Sequence, residues 1–358
     1  MILRMNDLVT AVFDRDGNYG EGFSYLNHAM HCMNLAMPAL ERTYGMQFPE
    51  VFENCHEFLL YQSNLDTREV FDFGDTTDRI SSLTNFTYVL DRYQDPHLAW
   101  LYEQAPGSGD VDLFLLDGGY ATEGPETLPT MKHFRDTGTV VFRNGFRGDD
   151  FQFVFRCGPF YNHQHFDQGT FWFSDRGETF LGEMGKSNYY DDPWYKKLVI
   201  QAGGHNSVLV NGHPQSQRPG DILHDVSAWQ EYAHITDYLE MNTGGFASGR
   251  LDPLYKDTLS LLRRSVLYIQ PRTIVLIDEA VPETGAESVE LRFHAPYRDA
   301  VTVSGRTAKV NAGDGVLAIR SVGDTVDQAV EKRPLTLTEF GHENALTMKA
   351  RGYLAQTA

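Results

Sequence analysis

Two histidines one residue apart, in His163-Gln164-His165, form the most informative short pattern of the 358-residue chain. On a strand, side chains two apart share a face, so both imidazoles would point into one site. Two histidines alone do not hold a metal. Glu183, in Phe180-Leu181-Gly182-Glu183, and His205, in Gly203-Gly204-His205-Asn206, offer further donors. A His/His/carboxylate set with water in the fourth position suits Zn²⁺. The plainer reading is a pair of hydrogen-bonded sheet histidines, since a chain with 13 histidines produces such triplets by chance.

A second candidate is Asp16-Gly17-Asn18-Tyr19-Gly20-Glu21-Gly22-Phe23-Ser24-Tyr25, a glycine-rich turn running into a helix. It lacks the Gly-Lys-Ser/Thr ending and the preceding strand of a phosphate loop. A tyrosine at such a helix start can keep its phenol available for proton transfer, as a core tyrosine cannot. His28 and His31 follow on the same helix, one turn apart, where both would face the same way as Tyr25; ordinary helix packing also accounts for all three. In Ser187-Asn188-Tyr189-Tyr190-Asp191-Asp192-Pro193-Trp194-Tyr195-Lys196-Lys197, flat rings such as those of Tyr189, Tyr190 and Trp194 would suit stacking on sugar faces, or would pin a surface loop. Arg143 and Arg147, with Lys132, His133 and Arg135 upstream, form a local basic patch that reads either as a substrate contact or as a solvated face.

The elements that would position these residues change character along the chain. Up to about residue 104 the pattern is helical. Residues 24–37 carry apolar side chains at helical spacing and stop near Pro38 and Gly45, and further helices are predicted at 49–62, 76–92 and 97–104. Glycines and prolines at 106–109 and 118–125 mark a linker across 105–130. From 131 to 300 the segments are short, β-branched or aromatic, as in Thr139–Arg143, Phe151–Arg156, Thr170–Phe173, Ser207–Val210 and Thr273–Ile277. They predict an antiparallel sandwich. Asn144-Gly145 and Asn211-Gly212 are hairpin signals. Residues 301–358 read as a smaller C-terminal β region. The fold class is therefore α+β and multidomain.

Composition excludes several classes. At 41% hydrophobic and 13% aromatic residues the chain can bury a core, so neither disorder nor a fibrous repeat fits. A net charge of −19 argues against a broad nucleic-acid interface, and it leans away from a long, heavily sulfated chain lying across the surface. The three cysteines, without a CxxC pair, build neither a disulfide framework nor a four-cysteine zinc module. No apolar run is long enough to span a membrane and no signal peptide opens the chain, so as given it reads as a soluble, cytoplasmic protein; a preceding segment would leave periplasmic or secreted placement open.

Taken in order, Thr137–Arg143, Asn162–Gly169 with its two histidines, Phe180–Glu183 and Gly204–Gly212 resemble the heparinase II/III-like polysaccharide lyases, a group that includes glycosaminoglycan and alginate lyases. Asp16-Gly17 through Glu21-Gly22-Phe23-Ser24-Tyr25 is similar to that family's Asp-Gly…Glu-Gly-x-x-Tyr turn. The resemblance implies a partial α/α toroid followed by antiparallel sheets, with the substrate cleft between them. It also implies Tyr25 and His163 as catalytic residues, and His165, Glu183 and His205 as ligands of a mainly structural zinc. Relatives commonly carry Asp where Glu183 stands. They also have a longer helical region ahead of the turn, which supplies an asparagine or histidine that neutralises the substrate carboxylate; His56, Arg79 and His97 are the nearby polar candidates here, and none matches a motif.

The chemistry implied is β-elimination at a 4-linked uronic acid in an acidic polysaccharide or oligosaccharide, giving a 4,5-unsaturated uronate. Arg143, Arg147, Tyr189, Tyr190, Trp194 and His28 would contact the sugar. Two other readings stay open: a glycan-binding or inactive relative that does not cleave, and a zinc-dependent hydrolase. An incomplete toroid would leave apolar helix faces for a second copy to cover, so a homo-oligomer is also expected.

Overall fold

The computed structural model describes residues 13–46, 50–71, 73–76, 79–80, 82–105, 119–159, 163, 165–183, 195–212, 215, 232–255, 258–283, 288–295, 300–323, 329–334 and 352–357. Its first long element, helix α1 (Gly22–Tyr44), buries Phe23, Leu26, Met30, Asn34 and Met37, positions three or four apart that make one stripe. The helix passes through Pro38, where a stop was expected. The lost backbone bond is offset by full burial of Met37 beside it, and the end comes at Gly45, whose φ of 63° lets its N–H reach the Glu41 carbonyl. The buried Asn34 Oδ1 accepts from Thr87 Oγ1 (3.0 Å) and Tyr88 N (2.8 Å), tying α1 to a later helix.

Helices α2 (Glu57–Tyr61) and α3 (Thr87–Tyr93) are shorter than predicted, while α4 (Pro96–Gln104) matches its predicted span to within one residue. The helix expected over 76–92 starts only after a 3₁₀ turn at Thr84–Phe86; the described residues 73–76 are not helical, and Arg79 forms an isolated β-bridge with Glu69. The 73–76 segment carries Asp75, whose side chain is committed to distant partners. Asp95 caps α4 by accepting from His97 N and Leu98 N, both at 2.9 Å, with Pro96 preset at the first helical position.

Strands β1 (Met131–Phe134), β2 (Thr139–Arg143), β3 (Gln152–Arg156), β4 (Phe171–Asp175) and β5 (Glu178–Leu181) form an antiparallel sheet in chain order. Every residue of β2 and β3 is buried, because the sheet is covered on both faces. Val141 and Val154 join the core of the helical region, while Val140, Phe142, Phe153 and Phe155 join the sandwich core. The second sheet lies on that side, in the order β10 (Thr273–Pro282), β9 (Leu259–Ile269), β8 (Gly244–Arg250), β7 (His234–Met241). Gly245 of β8 sits where a Cβ would come within 2.5 Å of the Phe142 ring, so the two sheets approach through it.

A third sheet runs β15 (Ala329–Pro334), β16 (Gly352–Thr357), β11 (Val289–Ala295), β6 (Val208–Val210), and β12 (Val301–Ser304), β13 (Thr307–Ala312) and β14 (Gly315–Arg320) form a small fourth. The final segment is thus divided between its own small sheet and the sandwich, since β16 pairs with β11. Neither Asn-Gly pair makes a two-residue hairpin. Asn144 opens the eight-residue loop between β2 and β3, and Asn211-Gly212 follows β6, whose described strand partner is β11.

Polar contacts clamp the helical region to the first sheet. Arg15 pairs with Asp136 and Arg135 with Asp16, each at 2.6 Å. Between them the buried Asp14 accepts from Thr137 N (2.7 Å) and Thr137 Oγ1 (2.9 Å). Burial raises the Asp14 carboxyl to about 6, outweighing its bonds from Asp16 and Thr137. A carboxyl raised in the fold adds stability that is fully present below the unfolded value and is lost as pH climbs through 6, by roughly 3 kcal/mol here. Between pH 4 and 7.5 the wild type should therefore lose denaturant stability that Asp14→Asn does not; parallel slopes for the two proteins would contradict this.

Candidate active site

The glycine-rich turn behaves as a bracket for Tyr25. Gly22 opens α1 with φ 79°, and a Cβ there would lie 2.8 Å from the Phe73 carbonyl, so the 73–76 segment packs directly on the helix start. Thr76 Oγ1 accepts from Ser24 N at 3.2 Å, supplying the cap that Glu21 does not. Tyr25, one turn in, is half-buried and stacks on the ring of His163 with centroids 4.4 Å apart and planes at 26°. Two residues far apart in sequence thus meet at the boundary between helices and sheets.

His163 and His165 share a site, but not by strand alternation. Both lie in the connection between β3 and β4, and His163 takes a left-handed φ of 61°. What brings them together is Asp75. Its Oδ2 lies 2.9 Å from His163 Nδ1 and 3.2 Å from the Tyr195 hydroxyl, and its Oδ1 lies 3.0 Å from His165 Nε2. Burial would raise the Asp75 carboxyl, yet the bonds from the two histidines hold it well below the usual range, so it is an anion accepting all three. Burial works against charge on His163 as well, but Asp75, with Glu21 adding its charge, raises it above the ordinary value. The fully buried His165 is lowered by burial.

Behind this pair lies a drier shell. Glu183 hydrogen-bonds His205 Nδ1 and Thr170 Oγ1, and all three are buried. The rings of His165 and His205 are 5.3 Å apart. Asn206 knits the shell to three strands' ends: its Nδ2 donates to Phe171 O (2.7 Å) and Gly182 O (3.1 Å), and its Oδ1 accepts from His294 N (2.6 Å). Arg264, wholly buried, donates to Gly169 O and Asn206 O and pairs with Asp278. Among the described residues, no group of three or more His, Cys, Asp and Glu is arranged to hold a metal ion. As the side chains stand, Glu183 serves Nδ1 of His205, and His165 turns Nε2 to Asp75. His205 Nε2 is nevertheless buried with no hydrogen-bond partner among the described residues, an arrangement that a cation would complete while Glu183 orients the ring from behind.

Several predicted contacts fall elsewhere. Arg143 is not open to a sugar: it is fully buried and donates to the carbonyls of Leu60 (2.9 Å), Tyr61 (3.1 Å) and Gly145 (2.9 Å), stapling the end of α2 to the sheet. Arg147 is exposed in the loop joining β2 to β3, at the end of that hairpin opposite to the connection that carries His163. His28 is exposed one turn beyond Tyr25. Tyr189, Tyr190 and Trp194 lie outside the described residues. Of the candidates for neutralising a carboxylate, His56 is buried against Asp95 (3.1 Å), His97 is tied to the Glu123 carbonyl (2.9 Å), and Arg79, whose backbone bridges Glu69, is exposed. Asp75 was missed, since nothing in Phe73-Gly74-Asp75-Thr76 separates it from a surface acid. Tyr195 was visible only as part of the aromatic stretch.

Residues 126–349 match the family model described as heparinase II/III-like, C-terminal. The chain belongs to the heparinase II/III-like family. The matched span contains His163, His165, Glu183 and His205, whereas Tyr25 and Asp75 precede it. No curated protein matches the chain significantly. Among solved structures, a heparinase III is 17% identical with a TM-score of 0.74, covering 99% of this chain and 54% of that one. A heparan sulfate lyase from Pedobacter heparinus is 16% identical with a TM-score of 0.72, covering 100% of this chain and 52% of that one. The chain therefore shares their fold, helices followed by antiparallel sheets, and spans about half the length of each. Among the described residues no helix is long and apolar enough to cross a membrane.

Proposed function

We propose that this heparinase II/III-like chain carries the catalytic half-site of a polysaccharide lyase, cleaving a 4-linked uronic-acid polysaccharide or oligosaccharide by β-elimination. The observation that supports it is the pairing of Tyr25 with His163, two proton-transfer groups from different parts of the fold, stacked at 4.4 Å and half-open to solvent. In the elimination a base takes the C5 proton, the electron pair forms the C4=C5 bond, the C4–O4 bond breaks, and the leaving O4 takes a proton. Tyr25 donates that last proton, and also abstracts the first when both lie on one face of the sugar. In the other geometry His163 is the base, or it contacts the carboxylate; its raised affinity for a proton suits the contact role, because an imidazolium beside the carboxylate acidifies C5. The names of the solved relatives make heparan sulfate the first substrate to try, with other glycosaminoglycans and alginate after it.

Zinc enters this reading as a structural element, fixing the loops behind the catalytic pair; the orphaned His205 Nε2 is the feature that favours it, while of the expected ligand set His165, Glu183 and His205, Glu183 now holds His205 Nδ1 from behind and would have to turn to the Nε2 side to ligate. Every proton step above belongs to Tyr25 and His163. Metal analysis should find about one zinc per folded chain, and His205→Ala should lose it together with several degrees of thermal stability. Metal-free wild type with unchanged melting would remove zinc from the account. The elimination itself is read by ultraviolet absorbance, since only a conjugated uronate product absorbs; cleavage without absorbance would mean hydrolysis.

A further inference from the structure

Resting on that lyase reading, we propose that Asp75 is the positioning residue of the site, holding His163 with its proton on Nδ1 and its Nε2 turned towards the substrate side. The carboxylate stands on the segment packed against the start of α1, on the opposite part of the fold from the residues it holds. It takes His163 and Tyr195 on one oxygen (2.9 and 3.2 Å) and His165 on the other (3.0 Å). An ionised carboxylate only accepts hydrogen bonds, so the contact fixes the proton on His163 Nδ1. The two nitrogens of an imidazole diverge, so Nε2 points away from Asp75.

A second constraint acts at right angles. The Tyr25 ring lies nearly parallel on the imidazole, so Asp75 fixes the ring in its plane while Tyr25 limits its tilt. One bond to the side chain and one stacked face leave little rotational freedom, which matters because proton transfer demands placement within a fraction of an ångström. The arrangement serves either role of His163. As a base it needs a lone pair on Nε2 and the proton on Nδ1; as a carboxylate contact it needs a counter-charge behind the ring. Asp75 also gives the site a registration device, since the same side chain grips residues of both the β3–β4 connection and the turn at Tyr195–Val199.

Asp75→Asn keeps the shape but puts an amide N–H₂ where an acceptor is needed. The expected result is a fall in kcat of about 10²–10⁴-fold with KM within about threefold, as for other histidine-orienting carboxylates. The readout that a merely structural role would not move is the ¹⁵N spectrum of His163 at alkaline pH, where the ring is neutral. Wild type should show the Nδ1–H form, and Asp75→Asn a shift towards Nε2–H. An Nε2–H wild type overturns the proposal, and does so even if the variant fails to fold. A large loss of kcat without a change of tautomer overturns it too, as does an unchanged kcat. Should the wild type cleave no uronate at all, the lyase reading fails while the tautomer still decides the role of Asp75.

Discussion

Replacing Tyr25 by phenylalanine should lower the rate of elimination roughly a thousandfold, the scale of a lost general acid, while the melting temperature stays within a degree or two. The variant keeps the ring and therefore the stack on His163; what it lacks is the phenolic proton. Loss confined to kcat would mark the hydroxyl as acting in the transition state. His163→Ala would be less clean, since it removes a partner of Asp75 and one face of the Tyr25 stack together. Full activity in Tyr25→Phe would assign the leaving-group proton to another side chain, with the Tyr195 hydroxyl, 3.4 Å from His163 Nδ1, as the next to test.

Replacing Arg143 by methionine should cost stability, not substrate affinity. The guanidinium is fully buried, and burial pulls it down to about 9, still protonated at neutral pH. It donates to three carbonyls within 3.1 Å and lies over the Phe146 ring, with its centre 4.7 Å from the centroid. Methionine refills the volume but leaves those carbonyls without their donor, at roughly 1 kcal/mol or more each, so a loss of about 3–5 kcal/mol is expected in denaturant unfolding. KM measured below the unfolding transition should stay within about twofold. A raised KM at unchanged stability would restore Arg143 to the substrate contacts.

Arg143 also shows where reading the sequence runs out. In Thr139-Val140-Val141-Phe142-Arg143 a terminal arginine looks like the solvated end of a strand, and only the covering of both sheet faces makes it internal. The strands themselves were legible, because β-branched and aromatic runs of four to six residues bounded by Gly, Asp or Asn have few alternatives. Helix α1 was legible from its apolar stripe, though not its passage through Pro38, which depends on what packs beside it. The stretch from Thr76 to Arg92 misled because apolar spacing cannot show that Asp75 is claimed by histidines some ninety residues away.

The candidate site divides in the same manner. His163, His165, Glu183 and His205 stood out by type and order, and the fold gathers all four. Their grouping by Asp75 follows from tertiary packing, and His163-Gln164-His165 shares a site through that carboxylate and a left-handed turn, where alternation along a strand was the expected cause. Arg147 of the basic patch stays exposed, but other charged residues at the junction between two parts of the fold are spent on holding it together. Arg15, Arg135 and Arg143 all act this way.

The most direct measurement is digestion of heparan sulfate, hyaluronate, chondroitin sulfate, alginate and glucuronan in heavy-oxygen water, following ultraviolet absorbance and solvent oxygen in the products together. Elimination predicts rising absorbance on at least one substrate and no solvent oxygen at the cleaved bond. Products that carry solvent oxygen and do not absorb, or intact polymer after exposure to folded protein, would contradict it.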